Sequence, residues 1–171
     1  MERSTEPGEG LPLVIGLGNA HRRDDRAGLE VLRRLKDLLP GKARFLEGPE
    51  DFTALLDLWA GAKRVVVVDA VSSGADPGTI HRIVVGPEGL PGTLHLTSTH
   101  GGSLTEAVGL GYALGRMPDS LVVYGIEAED LRIADGLSPR VEAALPQATE
   151  RIVEELRGPG PSRTGGGPPH A

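Results

Sequence analysis

Apolar residues fall along this chain in short blocks of two alternating kinds. LPLVIGL (residues 11–17) and VVVVDAV (65–71) are unbroken runs rich in branched residues, as expected of strands covered on both faces. Between them, Leu29, Leu32, Leu35 and Leu39, and then Phe52, Leu55, Leu56 and Trp59, recur at three- and four-residue spacing. That spacing lines one side of a helix. It predicts a first helix over Asp25–Leu39, opened by acids that suit a helix N-terminus and closed by Pro40-Gly41, and a second closed by Gly61. ARFLE (43–47) supplies a short strand between the two.

After the valine run, the link Ser72–Gly78 is too short for a helical crossover, so TIHRIVV (79–85) is expected to run antiparallel to its neighbour. Ser103-Leu104-Thr105-Glu106 has the form of a capping box opening a third helix that runs through Leu114. SLVVYGI (120–126) is a further buried strand. Ser138-Pro139, a cap followed by proline at the first helical position, opens a fourth helix that buries Val141, Leu145, Ala148, Ile152 and Leu156, with a kink expected at Pro146. The order βαβαββαβα predicts an α/β fold, a three-layer α/β/α sandwich around a five-stranded mixed, mostly parallel twisted sheet. Parallel strands of such a sheet aim their C-terminal ends at one edge, where ligands bind.

Composition trims this picture at both ends. Of the 14 residues from Gly158 to Ala171, nine are Gly or Pro, so burial cannot offset their ordering entropy, and residues 158–171 are expected to be a flexible tail. Residues 1–10 are expected to be a flexible lead-in, which leaves 11–157 as a single α/β domain. The 24 acidic residues outnumber 18 basic ones and aromatics make up only 3%. Such a chain lacks the cationic stripe and the stacking faces that grip nucleic acid. There is no cysteine, so thiolate catalysis and cysteine-ligated metal centres are excluded, and any nucleophile or ligand must be oxygen or imidazole. No stretch approaches the ~20 apolar residues of a membrane span, and the N-terminus lacks the apolar core of a signal peptide. The chain therefore reads as cytoplasmic and soluble; since the amphipathic helices leave no surplus apolar surface, a monomer is the simplest expectation.

Three segments meet at the predicted sheet edge: GLGNAHRRDDRAG after the first strand, Asp69 at the end of the valine strand, and THGGS before the third helix. Together they bring Asp24, Asp25, Asp69 and His100 toward one crevice. Two carboxylates and an imidazole on separate loops make an oxygen-and-nitrogen donor set with open positions, which suits a transition metal. Each residue also has a plainer account. Asp24 and Asp25 serve equally as helix cap and dipole-compatible charge, and Asp69 is satisfied either by loop amides or by facing the crevice. His100 is flanked by Gly101-Gly102, which permit close approach, whereas His81 falls inside a strand, His170 in the tail, and His21 and His95 read as solvated. A dinucleotide fingerprint fails, because six residues separate Gly18 from the predicted helix and no third glycine falls at the required offset. Ser98 and Ser103 flank His100, yet there is no nucleophile elbow and Ser103 is a cap. Asp25 and Asp69 acting as an acid–base pair stays open.

In their order along the chain, VIGLGNAHRRDDRAG, VVVVDAV followed by PGTIHRI, TSTHGGSLTEAV, LVVYGIEAEDL and GLSPRVEAALP resemble the hydrogenase maturation endopeptidases, which process the large subunit of nickel-iron hydrogenases. The resemblance spans about Leu11 to Leu156. It implies a phosphorylase/hydrolase-like five-stranded mixed sheet between helices, related to the architecture of peptidyl-tRNA hydrolase. It further implies an endopeptidase, of aspartic type in the family's classification, that recognises nickel already inserted in the large-subunit precursor and removes a C-terminal extension. The nickel would belong to the substrate, so no permanently bound cofactor is expected. The residues matching the family's metal ligands and catalytic set are Asp25, Asp69 and His100. This chain departs from the family's pattern at Glu47-Gly48-Pro49-Glu50, where an acid and paired small residues are usual, and at Arg26, where glycine is usual. Arg26, Arg22 and Arg23 read as solvated charges.

Two rival readings accompany this one. A non-catalytic nickel-sensing checkpoint or chaperone would use the same three ligands without cutting. Peptidyl-tRNA hydrolase shares the GLGN opening, but HRRDDRAG lacks the proline, tyrosine and histidine-asparagine pair with which that family continues, and the acidic charge disfavours a tRNA partner.

Overall fold

The computed structural model describes residues 10–96 and 103–161. Its strands are β1 (Leu13–Gly16), β2 (Arg44–Glu47), β3 (Arg64–Ser72), β4 (Ile80–Val84), β5 (His95–Leu96) and β6 (Ser120–Glu127). Its helices are α1 (Ala27–Leu38), α2 (Phe52–Trp59), α3 (Leu104–Leu114) and α4 (Pro139–Arg157). Five strands form a sheet in the order β2-β1-β3-β6-β4, and the two-residue β5 joins the end of β3. β2, β1, β3 and β6 run parallel. β4 runs antiparallel to β6, as the short link before it requires.

β3 is the centre, and Val65 to Val71 are all buried. Because side chains alternate across a strand, its valines serve two cores. Val66 and Val68 join Val31, Leu32 and Leu35 of α1 and Val141, Leu145 and Ile152 of α4 on one face. Val65 and Val67 join Leu55, Leu56 and Trp59 of α2 and Leu104 and Val108 of α3 on the other. Trp59 is fully buried yet satisfied, its indole Nε1 donating to the Arg116 carbonyl at 3.1 Å. α3 carries the reciprocal capping box read from its sequence: Ser103 Oγ accepts from the Glu106 amide, and the Glu106 carboxylate accepts from the Ser103 amide at 2.7 Å.

Three local details differ from the pattern-based expectation. Residues Arg23–Arg26 form a 3-10 turn, and α1 starts only at Ala27. The tighter winding buries both Asp24 and Asp25, which an exposed first α-helical turn would not do. Ser138 precedes α4 without capping it by its side chain, because its hydroxyl donates to Asp24 Oδ2 at 2.8 Å. The helix itself runs unbroken through Pro146. Finally, β5 pairs Leu96 with Val71 and His95 with Ser72; two residues are too few to leave a periodic signal. At the other end of the sheet, Arg64 donates to the carbonyls of Glu155 at 2.6 Å and Gly158 at 2.8 Å, clamping the close of α4.

Candidate functional site

The chain leaves β1 through Leu17, whose amide donates to the Val68 carbonyl at 2.8 Å. Gly18 follows with φ +139°, and a Cβ there would fall 1.9 Å from the Asp25 carbonyl oxygen. Only glycine lets the 3-10 turn lie directly on the strand end. The turn closes back: the Asn19 amide donates to Asp25 Oδ2 at 3.2 Å, and the His21 amide to Asn19 Oδ1 at 2.9 Å.

Within this turn the two neighbouring acids face different surroundings. Asp24 is fully buried. Its Oδ2 accepts from the amides of Glu129 at 2.9 Å and Asp130 at 2.7 Å and from Ser138 Oγ, while Oδ1 accepts from the Ser138 amide at 2.7 Å. Four donors offset the desolvation of one carboxylate, so Asp24 is a staple between the turn and the loop from β6 to α4. Asp25 is 2% exposed and lines a cavity of about 350 Å³ together with Asn19, His21, Glu47, Gly48 and Glu50. The segment singled out as a departure from the family pattern is thus a wall of this cavity. His21, read as solvated, is exposed but sits on the cavity's rim.

Asp69 is fully buried near the C-terminal end of β3. By strand alternation it belongs to the face that carries α2 and α3. The 3-10 turn packs against β3, and a Cβ at Gly28, in the first turn of α1, would lie 2.4 Å from the Val68 carbonyl. The turn bearing Asp25 and the strand end bearing Asp69 are therefore adjacent. Ser98 and His100 lie outside the described residues. Among the described residues no three His, Asp or Glu side chains are grouped to hold a metal ion.

One further buried acid on this edge escaped the sequence reading. Glu127 ends β6 and is 2% exposed. Its Oε1 accepts from the amides of Ser73 at 2.7 Å and Gly74 at 3.2 Å, and its Oε2 accepts from Ser73 Oγ at 2.8 Å and meets His81 Nε2 at 3.0 Å. Burial pushes this carboxyl up, but the Ser73 amide and hydroxyl and the His81 ring together outweigh it and hold it below its ordinary value. His81, assigned from sequence only to a strand, thus pairs with an acid. The signal was present, since an acid closing a buried strand is the feature that drew attention to Asp69. Ser73 donates to the carboxylate and not to the imidazole, so the trio fastens the turn after β3 and is no nucleophilic triad.

The arginines also sort themselves. Arg26, read as a solvated charge, is half-buried and pairs with Glu30 at 3.0 Å in an i,i+4 pair. Arg23 and Arg132 both reach Asp130, whose carboxyl the Arg132 side chain and amide, then the Arg23 charge, hold far below the usual range. Arg22 is different, because its Nη1 stands 3.7 Å from Asp25 Oδ2. The cation beside Asp25 is therefore not the one that replaces the family's glycine.

This edge thus brings together a buried carboxylate on a glycine-gated turn, a second on the adjoining strand end and a cavity that opens at the first. The model of the hydrogenase maturation protease family matches residues 29–155, and the chain belongs to that family. Hydrogenase 2 maturation protease of Escherichia coli is 28% identical over 149 residues, covering 85% of this chain and 90% of the relative. The solved hydrogenase maturating endopeptidase HybD of E. coli superposes with a TM-score of 0.75 at 28% identity, over 86% of this chain and 92% of that one. HybD from Thermococcus kodakarensis gives 0.67 at 28% identity, over 86% and 99%. The mixed-sheet α/β architecture read from the sequence is that of these proteases.

Proposed function

We propose that this protein is the endopeptidase that removes a C-terminal extension from the nickel-loaded precursor of a nickel-iron hydrogenase large subunit. The observation that carries this reading is the cavity lined by Asp25, on a turn that packs against the strand ending near Asp69, in a chain of the maturation protease family. Buried carboxylate oxygens, together with the His100 imidazole, form a donor set suited to a borderline divalent ion such as nickel. The nickel is part of the substrate and no resident cofactor is required. Asp25, Asp69 and His100 take vacant positions on it and so hold the scissile bond in place by proximity. Metal polarisation of the carbonyl or of a water supplies the hydrolytic chemistry. The cavity wall of Glu47, Gly48 and Glu50 borders the incoming peptide.

The client chain is the partner, and the enzyme works as a cytoplasmic monomer; no described helix is long and apolar enough to cross a membrane. Intact-mass spectrometry of nickel-loaded precursor, nickel-free precursor and enzyme variants tests the reading. Loss of a C-terminal fragment only with nickel and only with intact Asp25 and His100 is expected. Equal cleavage of the nickel-free precursor would overturn the role of nickel, and binding without any mass change would overturn proteolysis in favour of a checkpoint.

A further inference from the structure

Arg22 is held in place from two directions. Its backbone bridges Ile133, and its Nε donates to the Leu131 carbonyl at 3.0 Å, 109 residues away. Next to it the Arg23 amide donates to Arg132 and the Asp24 amide to Asp130, at 3.1 and 3.0 Å, and the Asp24 staple fixes the same loop. The guanidinium therefore does not wander as a surface arginine would. Its Nη1 stands 3.7 Å from Asp25 Oδ2, with the arginine side chain 22% exposed and the carboxylate 3%. This separation neutralises charge without the short contact of 2.7 to 2.9 Å that locks a hydrogen-bonded pair. The arrangement sets a partly exposed cation beside the buried Asp25.

We infer that Arg22 is a placeholder cation at Asp25, which keeps free divalent metal off the carboxylate and yields only to nickel delivered inside a precursor. A free ion must displace the guanidinium with nothing in return, and it meets repulsion from a neighbouring positive charge. Nickel carried by the precursor brings the binding of a whole polypeptide surface to offset that displacement, so specificity arises from a difference in what each competitor gains. Arg22 is a positioning and specificity residue here, not a catalytic one. The inference rests on Asp25 being an acceptor for substrate nickel.

The test is calorimetric titration of nickel chloride into the full chain, with R22Q, R22A, D25A and R22Q/D25A variants whose thermal melts verify folding. Glutamine keeps a donor for Leu131 and removes the charge, so it guards against a misfolded alanine variant. R22Q is expected to bind free nickel about tenfold more tightly than the parent. Unchanged or weaker binding in R22Q, with binding lost in D25A, would overturn the placeholder and leave the Asp25 reading intact. Binding by an R22Q/D25A double variant as tight as that by R22Q would overturn the Asp25 reading and the placeholder with it.

Discussion

Asp24 and Asp25 are the same residue type, adjacent in sequence and both buried, yet they meet different surroundings. Asp24 is saturated by four donors from the loop between β6 and α4. Asp25, one residue on, lines an open cavity and faces a guanidinium at 3.7 Å. Burial alone therefore does not separate an acid tied to fixed protein donors from one that borders a cavity. Four fixed protein donors surround Asp24, whereas Asp25, which also accepts from the Asn19 amide, borders a space large enough for a ligand.

The largest effect expected from this contrast is on Asp25. D25A is expected to lower precursor cleavage by at least about 100-fold, measured by intact mass against time, while Tm moves by no more than a few degrees. A collapse of stability in D25A would erase the distinction. D24A should do the reverse. Removing the acceptor strands four protein donors in a dry site, at about 3 kcal/mol in urea unfolding, while the folded fraction keeps its cleavage rate.

A subtler test uses the other saturated acid. Glu127 is held below its ordinary value of 4.5, so the carboxylate contributes stability above that value and the contribution is lost as pH falls through its lower folded value. E127Q is expected to be less stable than the parent near neutrality, with the gap closing as the solution is acidified below pH 4.5, read from urea midpoints across pH. A gap that widens in acid would show that Glu127 is not held as the charged form. The smallest effect is expected at Arg26. Restoring the glycine that the family pattern favours removes the pair with Glu30 and should shift stability by under about 0.5 kcal/mol through that pair. A large change in cleavage on R26G would transfer to Arg26 the influence on Asp25 ascribed to Arg22.

Much of the architecture was legible because it rests on local periodicity. Four consecutive valines required a strand covered twice, the Phe52–Trp59 spacing required an amphipathic helix, and Ser103 with Glu106 announced a helix start that the structure reproduces bond for bond. The site was legible only in part. Asp69 betrayed itself as an acid inside an apolar run, but nothing local separates Asp24 from Asp25, since the partners that saturate Asp24 lie more than 100 residues away. For the same reason Ser138 read as a helix cap although its hydroxyl is drawn to Asp24. Likewise His81 looked like an ordinary strand residue until β6 brought Glu127 beside it. Pairings of distant residues are set by topology, and composition does not encode them.

The Asp24 staple has a consequence for how the enzyme comes into being. Its donors are 105 to 114 residues downstream, and closing a loop of that length costs about 4 kcal/mol in chain entropy before any contact rewards it. During synthesis β1, α1, β2, α2 and β3 emerge first, so the early half can collapse around the valine strand while the turn at its very beginning still lacks its partners. A nascent chain that already carries Asp25 and Asp69 therefore has these acids before the turn that positions Asp25 is fastened. The protease is completed at its N-terminal turn only when the segment leading into its last helix arrives.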